Sequence, residues 1–144
     1  MTEGNIFVVA GEPVSWETKR QDTVALSTVE AEFMAFSQVT TQALWLLKYF
    51  EEIGLLVTQP ITIHADNNGA IAISTNDKNY RRTKHINVWH HLVKEHTEAN
   101  EVNFKYILSV SNMADFLTKP LPRDTIWRTI TTLDLGPQNL GMAV

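Results

Sequence analysis

Four stretches of the chain combine apolar runs or apolar–polar alternation with turn residues at their ends, and each predicts a β-strand. The first two are separated by Gly11–Pro13, which predicts a turn and therefore a hairpin. In the third, isoleucines alternate with polar residues, so that one face is apolar and the other carries a histidine and an aspartate. The four predicted strands are Ile6–Ala10, Val14–Lys19, Pro60–Asp66 and Glu101–Leu108.

A helical repeat of apolar residues fills most of the chain between these strands. Ser27 begins the longest predicted helix with a capping-box pattern to Glu30, and Gly54 ends it. Shorter helices are predicted at Ala70–Thr75, His85–Ala99, Asn112–Thr118 and Ile126–Leu133. Strands interleaved with helices in this order predict an α/β fold, in which a sheet is layered with helices.

Two glutamates near the start of the long helix differ in their predicted positions. At about 100° per residue, Glu32 lies about 40° from the centre of the apolar stripe and Glu30 about 120° from it. A carboxylate on the buried side of a helix is costly unless it is paired or binds a metal ion. Glu32 is therefore the functional candidate, although a side chain at the stripe edge that reaches water is the simpler alternative.

Two aspartates lie at positions where ligand sites collect in α/β proteins. Asp66 comes at the carboxyl end of a predicted strand, and Asp115 lies in the first turn of a predicted helix. Acids are also common at both places for purely structural reasons. If the fold brings Asp66 and Asp115 together with Glu32, three carboxylates form a hard-oxygen site suited to Mg²⁺ or Mn²⁺.

The composition narrows the class of protein. The 144 residues contain no cysteine, which excludes disulfide scaffolds, thiolate metal sites and a cysteine nucleophile. Hydrophobic residues make up 44% and charged residues 19% of the chain, which is typical of one globular domain. No apolar run has the ~20 residues of a membrane span, and no secretory signal is evident, so we expect no membrane association and an intracellular location, cytoplasmic or nuclear.

The charge distribution is uneven. The net charge is −4, yet the segment from Lys78 to Lys94 holds five of the twelve Lys and Arg residues, three histidines and no acid. Such a basic segment on an acidic chain is suited to phosphate binding beside a carboxylate site. A solvated helix face is an equally good explanation. A metal site formed by His85, His90 and His91 is a weaker alternative, because helical ligand pairs favour i,i+4 spacing.

Five blocks of sequence together resemble the ribonuclease H domain of copia-type retrotransposon polyproteins. They occur in that family's order with similar spacing, and they cover most of Ile6–Pro122. The blocks are Val14-Ser15-Trp16, Val24–Ala35, Ile63–Ile71, Arg82–Ile86 and Asn112–Pro122.

The resemblance implies a ribonuclease H-like mixed sheet with helices on both faces. It also implies divalent-metal-dependent hydrolysis of RNA in RNA–DNA hybrids, with Glu32, Asp66 and Asp115 as catalytic residues and ligands of two Mg²⁺ or Mn²⁺ ions. Substrate phosphates would be contacted by the block Arg82, Thr83, Lys84 and His85. We expect residues 1–122 to form this domain and residues 123–144 to form a tail with one short helix.

The family begins with a central strand that carries its first catalytic aspartate, whereas this chain has no aspartate before Asp22. The resemblance therefore implies that the first strand is absent, and we expect an incomplete two-metal site and weakened activity. The alternative is a catalytically inactive derivative that binds nucleic acid or protein.

A missing central strand leaves two strand edges without partners. Unpaired buried backbone groups cost about 1–3 kcal/mol each, so the edges must be satisfied in another way. We expect the N-terminal strands to pair directly with Ile61–Asp66, or a second copy to fill the gap. A homodimer through the strand edge or through the apolar tail Ile126–Leu135 follows from either arrangement.

Overall fold

A computed structural model of the chain describes residues 2–22, 28–68, 71 and 84–135, without the side chains of 29 and 84–87. Strands and helices alternate along it, which confirms the predicted α/β fold. In chain order the elements are β1 (Thr2–Val9), β2 (Glu12–Arg20), α1 (Thr28–Glu52), β3 (Ile61–Ala65), α2 (Lys84–Glu98), β4 (Val102–Tyr106), two 3₁₀ turns (Ser109–Ser111 and Met113–Leu117) and α3 (Arg123–Thr132).

The chain divides into two compact units. One is discontinuous and combines Met1–Asp22 with Met113–Val144, so it holds the β1–β2 pair, the second 3₁₀ turn and α3. The other is the continuous segment Thr23–Asn112, which holds α1, β3, α2 and β4. None of the helices in the described ranges is long and apolar enough to cross a lipid bilayer.

In the discontinuous unit, β1 and β2 form the predicted antiparallel hairpin. Val9 is opposite Glu12, and the two residues between them, Ala10 and Gly11, have φ values of 53° and 88°. Positive φ at both central residues is the requirement of a type I′ turn, whose twist matches that of the strands. Strand β2 begins two residues earlier than predicted because the turn lies at Ala10–Gly11, and β1 begins four residues earlier because Thr2–Asn5 pair with Glu17–Arg20.

Gly4 on β1 lies against the second 3₁₀ turn. A Cβ atom at this position would be 2.7 Å from Cγ2 of Thr118, 3.0 Å from Cβ of Leu117 and 3.3 Å from the carbonyl oxygen of Ala114. The absence of a side chain therefore permits close packing of strand and turn. The same unit buries Leu133 at the end of α3, so part of the predicted spare tail belongs to the packed structure.

Replacing Gly4 with alanine should destabilise the protein by about 1–3 kcal/mol, because the added methyl group must displace the side chains of Thr118 and Leu117 in the turn. Urea denaturation measures the change. Thr18, the exposed cross-strand partner of Gly4, provides the matched control, since Thr18→Ala removes atoms on the same hairpin without creating a clash. Equal stability of the two variants would contradict the close packing of β1 on the turn.

In the continuous unit, β3 and β4 are parallel, with Ile61 opposite Val102 and Ile63 opposite Phe104. Parallel strands need a crossover connection, and α2 lies in that connection. The alternation predicted for β3 is confirmed at the centre of the strand, where Ile63 is buried and His64 is exposed. The predicted apolar face of β4 is buried at Val102 and Phe104 but not at Tyr106, which is 46% exposed.

Helix α1 supplies most of the core of this unit. Its fully buried Phe33 has the ring of His90 from α2 at 5.9 Å, edge to face, and its Phe36 stacks on Phe104 of β4 at 4.7 Å. The helix ends as predicted. Gly54 has a φ of 79°, its N–H donates to the carbonyl of Glu51, and the N–H of Leu55 donates to that of Phe50, which is a Schellman motif.

One of the two expected sheet arrangements and the helix predicted at Asn112–Thr118 are wrong. Among the strands described, β1–β2 and β3–β4 form separate two-stranded sheets, so the N-terminal strands do not pair with Ile61–Asp66. Strand β1 packs instead on the second 3₁₀ turn of its own unit. The helix predicted at Asn112–Thr118 is replaced by the 3₁₀ turn Met113–Leu117, which follows the extended backbone of Asn112 (ψ 103°). The helix predicted at Ala70–Thr75 lies almost entirely outside the described residues.

Candidate carboxylate site

Asp66 follows β3 directly, at the carboxyl end of a parallel strand. The strand ends there because the chain bends at Asp66, and the N–H of Ile71 donates to the carbonyl of Asn67 as a new helical turn begins. The Asp66 side chain is exposed and makes no hydrogen bond or ion pair in the part of the chain that the structure describes. Its carboxylate is therefore free to bind a cation or a polar ligand.

Asp115 lies in the second 3₁₀ turn, where both its backbone carbonyl and its carboxylate have partners. Its carbonyl oxygen accepts hydrogen bonds from the N–H groups of Thr118 and Lys119 and from the Thr118 hydroxyl. Its Oδ2 is 2.8 Å from Nζ of Lys119, and the Asp115 side chain is only 16% exposed. The turn thus fixes the backbone of Asp115, and the ammonium group of Lys119 forms an ion pair with Oδ2 of its carboxylate.

The sequence arguments missed Lys119. Its spacing of four residues from Asp115 is the i,i+4 distance at which opposite charges meet on a helical turn, and this pattern was available in the sequence. The ammonium group neutralises the half-buried carboxylate. A cation that binds Asp115 must use its other oxygen or displace Lys119.

The prediction that Glu32 is more buried than Glu30 is wrong. Glu30 is 6% exposed, whereas Glu32 is half-exposed. Both side chains have interaction partners. Ser27, the predicted N-cap that would pair with Glu30, lies outside the described residues.

The reason for this difference is a pair of small polar residues in the core-facing side of α1. Thr40 is fully buried, with its hydroxyl donating to the carbonyl of Phe36 at 2.7 Å, and Ser37 is also buried. When a hydroxyl bonds to a carbonyl of its own helix, the rest of the side chain presents only apolar atoms to its neighbours, so such residues can pack in a core. The predicted stripe included neither these two residues nor the buried Ala31 and Met34, so its centre was rotated away from the true buried face, which contains Glu30.

The three predicted site residues are divided between the two units. Glu32 and Asp66 belong to the continuous unit, and Asp115 belongs to the discontinuous one. Within the described residues of either unit, no three His, Asp and Glu side chains are grouped so that they could hold a metal ion. The convergence of Glu32, Asp66 and Asp115 stays a prediction.

The predicted phosphate-binding block is only partly covered by the structure. Arg82 and Thr83 lie outside the described residues, and Lys84 and His85 begin α2 with side chains that are also outside them. Further along α2, Lys94 pairs with Glu98 at 3.7 Å. The rings of His90 and His91 have centroids 6.2 Å apart, but His90 packs against Phe33, as a residue at the edge of a core does.

The donor set fits a hard divalent cation in its chemistry. Carboxylate oxygens are the ligands that Mg²⁺ and Mn²⁺ prefer, and Asp66 offers one that is exposed and unpaired within the described chain. Asp115 offers a second carboxylate whose position is fixed by its turn.

Comparison with known proteins finds several retrotransposon polyproteins that match most of this chain. The chain is 36% identical over 121 residues to the retrovirus-related Pol polyprotein from transposon TNT 1-94 of Nicotiana tabacum, a match that covers 84% of this chain and 9% of the relative. It is 30% identical over 122 residues to the Pol polyprotein from transposon RE1 of Arabidopsis thaliana, covering 85% and 8%. The Gag-Pol polyprotein of transposon Ty1-DR5 of Saccharomyces cerevisiae is 26% identical over 127 residues, covering 85% and 7%.

These homologues are retrotransposon Pol polyproteins. The chain spans less than a tenth of the length of each of these polyproteins. No protein-family profile matches the sequence, and no solved structure matches it either.

Proposed function

We propose that this chain is a ribonuclease H-like domain of a copia-type retrotransposon polyprotein, which hydrolyses the RNA strand of RNA–DNA hybrids with Mg²⁺ or Mn²⁺. The proposal rests chiefly on the position and exposure of the Asp66 carboxylate. Asp66 is an exposed carboxylate at the carboxyl end of a parallel strand, without a partner among the described residues, in a chain with Pol polyproteins among its homologues. An intracellular location and a nucleic-acid partner are parts of the same proposal.

Glu32, Asp66 and Asp115 have separate roles in this proposal. Asp66 is the accessible ligand that a cation meets first, while the turn around Asp115 supplies a second ligand in a fixed orientation. Glu32, on the half-exposed side of α1, completes the set. Bound divalent metal would supply activation of the attacking water and neutralisation of charge on the scissile phosphate. The block at Arg82, Thr83, Lys84 and His85 would hold neighbouring phosphates, and the hybrid would be recognised by its groove shape and 2′-hydroxyls.

A cleavage assay with a labelled RNA–DNA hybrid, in Mg²⁺ and separately in Mn²⁺, tests the proposal. We expect slow cleavage confined to the RNA strand and dependent on the metal, with Mn²⁺ more effective because its coordination is more tolerant. The same assay on double-stranded DNA provides the control. Equal cleavage of both substrates, or cleavage that survives a chelator, would reject the ribonuclease H assignment.

The Asp115–Lys119 pair favours a second candidate function. A carboxylate already neutralised by a lysine is less available to a metal ion, which suits a non-catalytic derivative that binds nucleic acid or protein. Such a protein would retain hybrid binding in a gel-shift assay without any cleavage in either metal. The binding and cleavage measurements together distinguish the two functions.

Replacing Lys119 with glutamine should strengthen binding of Mn²⁺ to the protein. The ion pair is half-exposed, so its loss removes a competing charge interaction of about 0.2–1 kcal/mol, which corresponds to an affinity gain of up to about fivefold. Isothermal titration calorimetry measures the change. Lys105→Gln on β4 is the control, because it removes the same charge from an exposed position of the continuous unit, whereas Asp115 and Lys119 belong to the other unit. An unchanged affinity in Lys119→Gln would show that Asp115 is not a metal ligand.

A further inference from the structure

The C-terminal half of α1 exposes an unusually apolar surface. Trp45 is 62% exposed, Tyr49 46% and Ile53 58%, and these three residues follow one another at intervals of four. Just beyond the helix, Leu55 is half-exposed and Leu56 is 98% exposed. We call these five residues the α1 ridge. Contiguous exposed apolar patches of this kind mark interaction sites in soluble proteins.

The α1 ridge is already ordered in a shape suited to packing. The rings of Trp45 and Tyr49 are stacked, with centroids 5.6 Å apart and planes 8° from parallel. Residues four apart form a ridge along a helix, and two such ridges interdigitate in the commonest class of helix–helix packing. Stacked aromatic rings that need no further ordering lose little conformational entropy when a partner covers them.

The charges beside the ridge indicate which partner fits. Lys48 and Glu52 are exposed on the same flank of α1, roughly 60–100° from the ridge. Neither makes an ion pair within the part of the chain that the structure describes. Opposite charges placed on one flank of a helix complement the same flank of an identical helix that runs in the opposite direction.

We infer that the α1 ridge is the contact surface of a homodimer, in which two copies of α1 pack antiparallel about a two-fold axis near Phe50. That axis places Lys48 level with the partner's Glu52, and it does so twice because the interface is isologous. Tyr49 then lies beside the partner's Tyr49, and Trp45 packs near the partner's Ile53. The contact therefore buries the apolar side chains of the α1 ridge and pairs Lys48 of each copy with Glu52 of the other.

This inference gives the expected homodimer a different interface from the strand edge or the apolar tail. The tail carries a buried Leu133, so part of its apolar surface is already used. The inference stands independently of the proposed nuclease function, since none of the α1 ridge residues belongs to the candidate carboxylate site.

Sedimentation velocity over a range of protein concentrations tests the inference. We expect reversible dimerisation with a dissociation constant on the order of 1–10 µM, at the weak end for specific interfaces. Trp45→Ala should weaken it at least about tenfold, because buried aromatic residues dominate such contacts. Trp16→Ala is the matched control: this tryptophan of β2 is equally exposed but lies on the hairpin, so it also tests association through the strand edge.

The charges provide a test of orientation. Lys48→Glu and Glu52→Lys should each weaken the dimer, and the double variant should restore it, because the swapped charges pair again across the two-fold axis. Circular dichroism confirms that the helix is retained in every variant. A monomer at all concentrations, a dimer insensitive to Trp45→Ala, or a double variant as weak as the single ones would overturn the inference.

Discussion

Replacing Asp66 with asparagine should reduce metal-dependent cleavage of an RNA–DNA hybrid at least about 100-fold. Loss of a supporting residue around a metal typically costs about 10–100-fold, and loss of a ligand costs no less. The substitution changes charge with almost no change in size, on an exposed side chain without partners in the described chain, so folding should be unaffected. Initial rates in Mn²⁺, with equal concentrations of wild type and variant, measure the effect.

Asp124→Asn is the matched control for this experiment. Asp124 is an exposed aspartate at the start of α3, and its exchange makes the same chemical change outside the candidate site. Titration with Mn²⁺ gives a second readout if the wild-type rate is low, since Asp66→Asn should weaken metal binding about tenfold or more. Cleavage and metal affinity equal to those of the wild type would remove Asp66 from the mechanism.

Truncating Phe33 to alanine should produce the largest loss of stability among single substitutions in the continuous unit. Its side chain is fully buried in α1 and contacts His90 of α2, so the change leaves a cavity between the two helices. Substitutions of this kind cost about 3–5 kcal/mol, a large part of the usual total of about 5–15 kcal/mol. We expect the melting temperature to fall by more than about 12 °C.

Thermal unfolding followed by circular dichroism measures this loss. Glu51→Ala on the same helix is the control, because Glu51 is exposed and its truncation removes no packed atoms. A fall of only a few degrees in Phe33→Ala would mean that α1 and α2 do not enclose a common core.

Elements whose boundaries depend on local chemistry were predictable from the sequence. The long helix ends at Gly54 as predicted, because only glycine takes a positive φ there without strain. Helix α2 ends within a residue of its predicted end, and strand β3 matches its pattern within a residue at both ends. In each case, neighbouring residues in the chain determine where the element begins or ends.

Features that depend on distant contacts were not predictable in the same way. The buried face that contains Glu30 also contains Ser37 and Thr40, and Thr40 packs there because its hydroxyl bonds to the carbonyl of Phe36. The 3₁₀ turn around Asp115 packs on Gly4, a residue more than a hundred positions earlier. No local periodicity records such a contact, and for the same reason the sequence pattern alone does not test the convergence of the three carboxylates.

The division of the chain into a continuous and a discontinuous unit has a consequence for how it folds during synthesis. The hairpin is synthesised before the 3₁₀ turn Met113–Leu117 on which β1 packs, and the continuous unit lies between them in the chain. Meanwhile the segment Thr23–Asn112 is complete and can fold as a unit. Its prior folding shortens the flexible loop that must close when the hairpin meets the 3₁₀ turn, which lowers the entropy cost of that step. The order of translation therefore favours assembly from the inside of the sequence outwards.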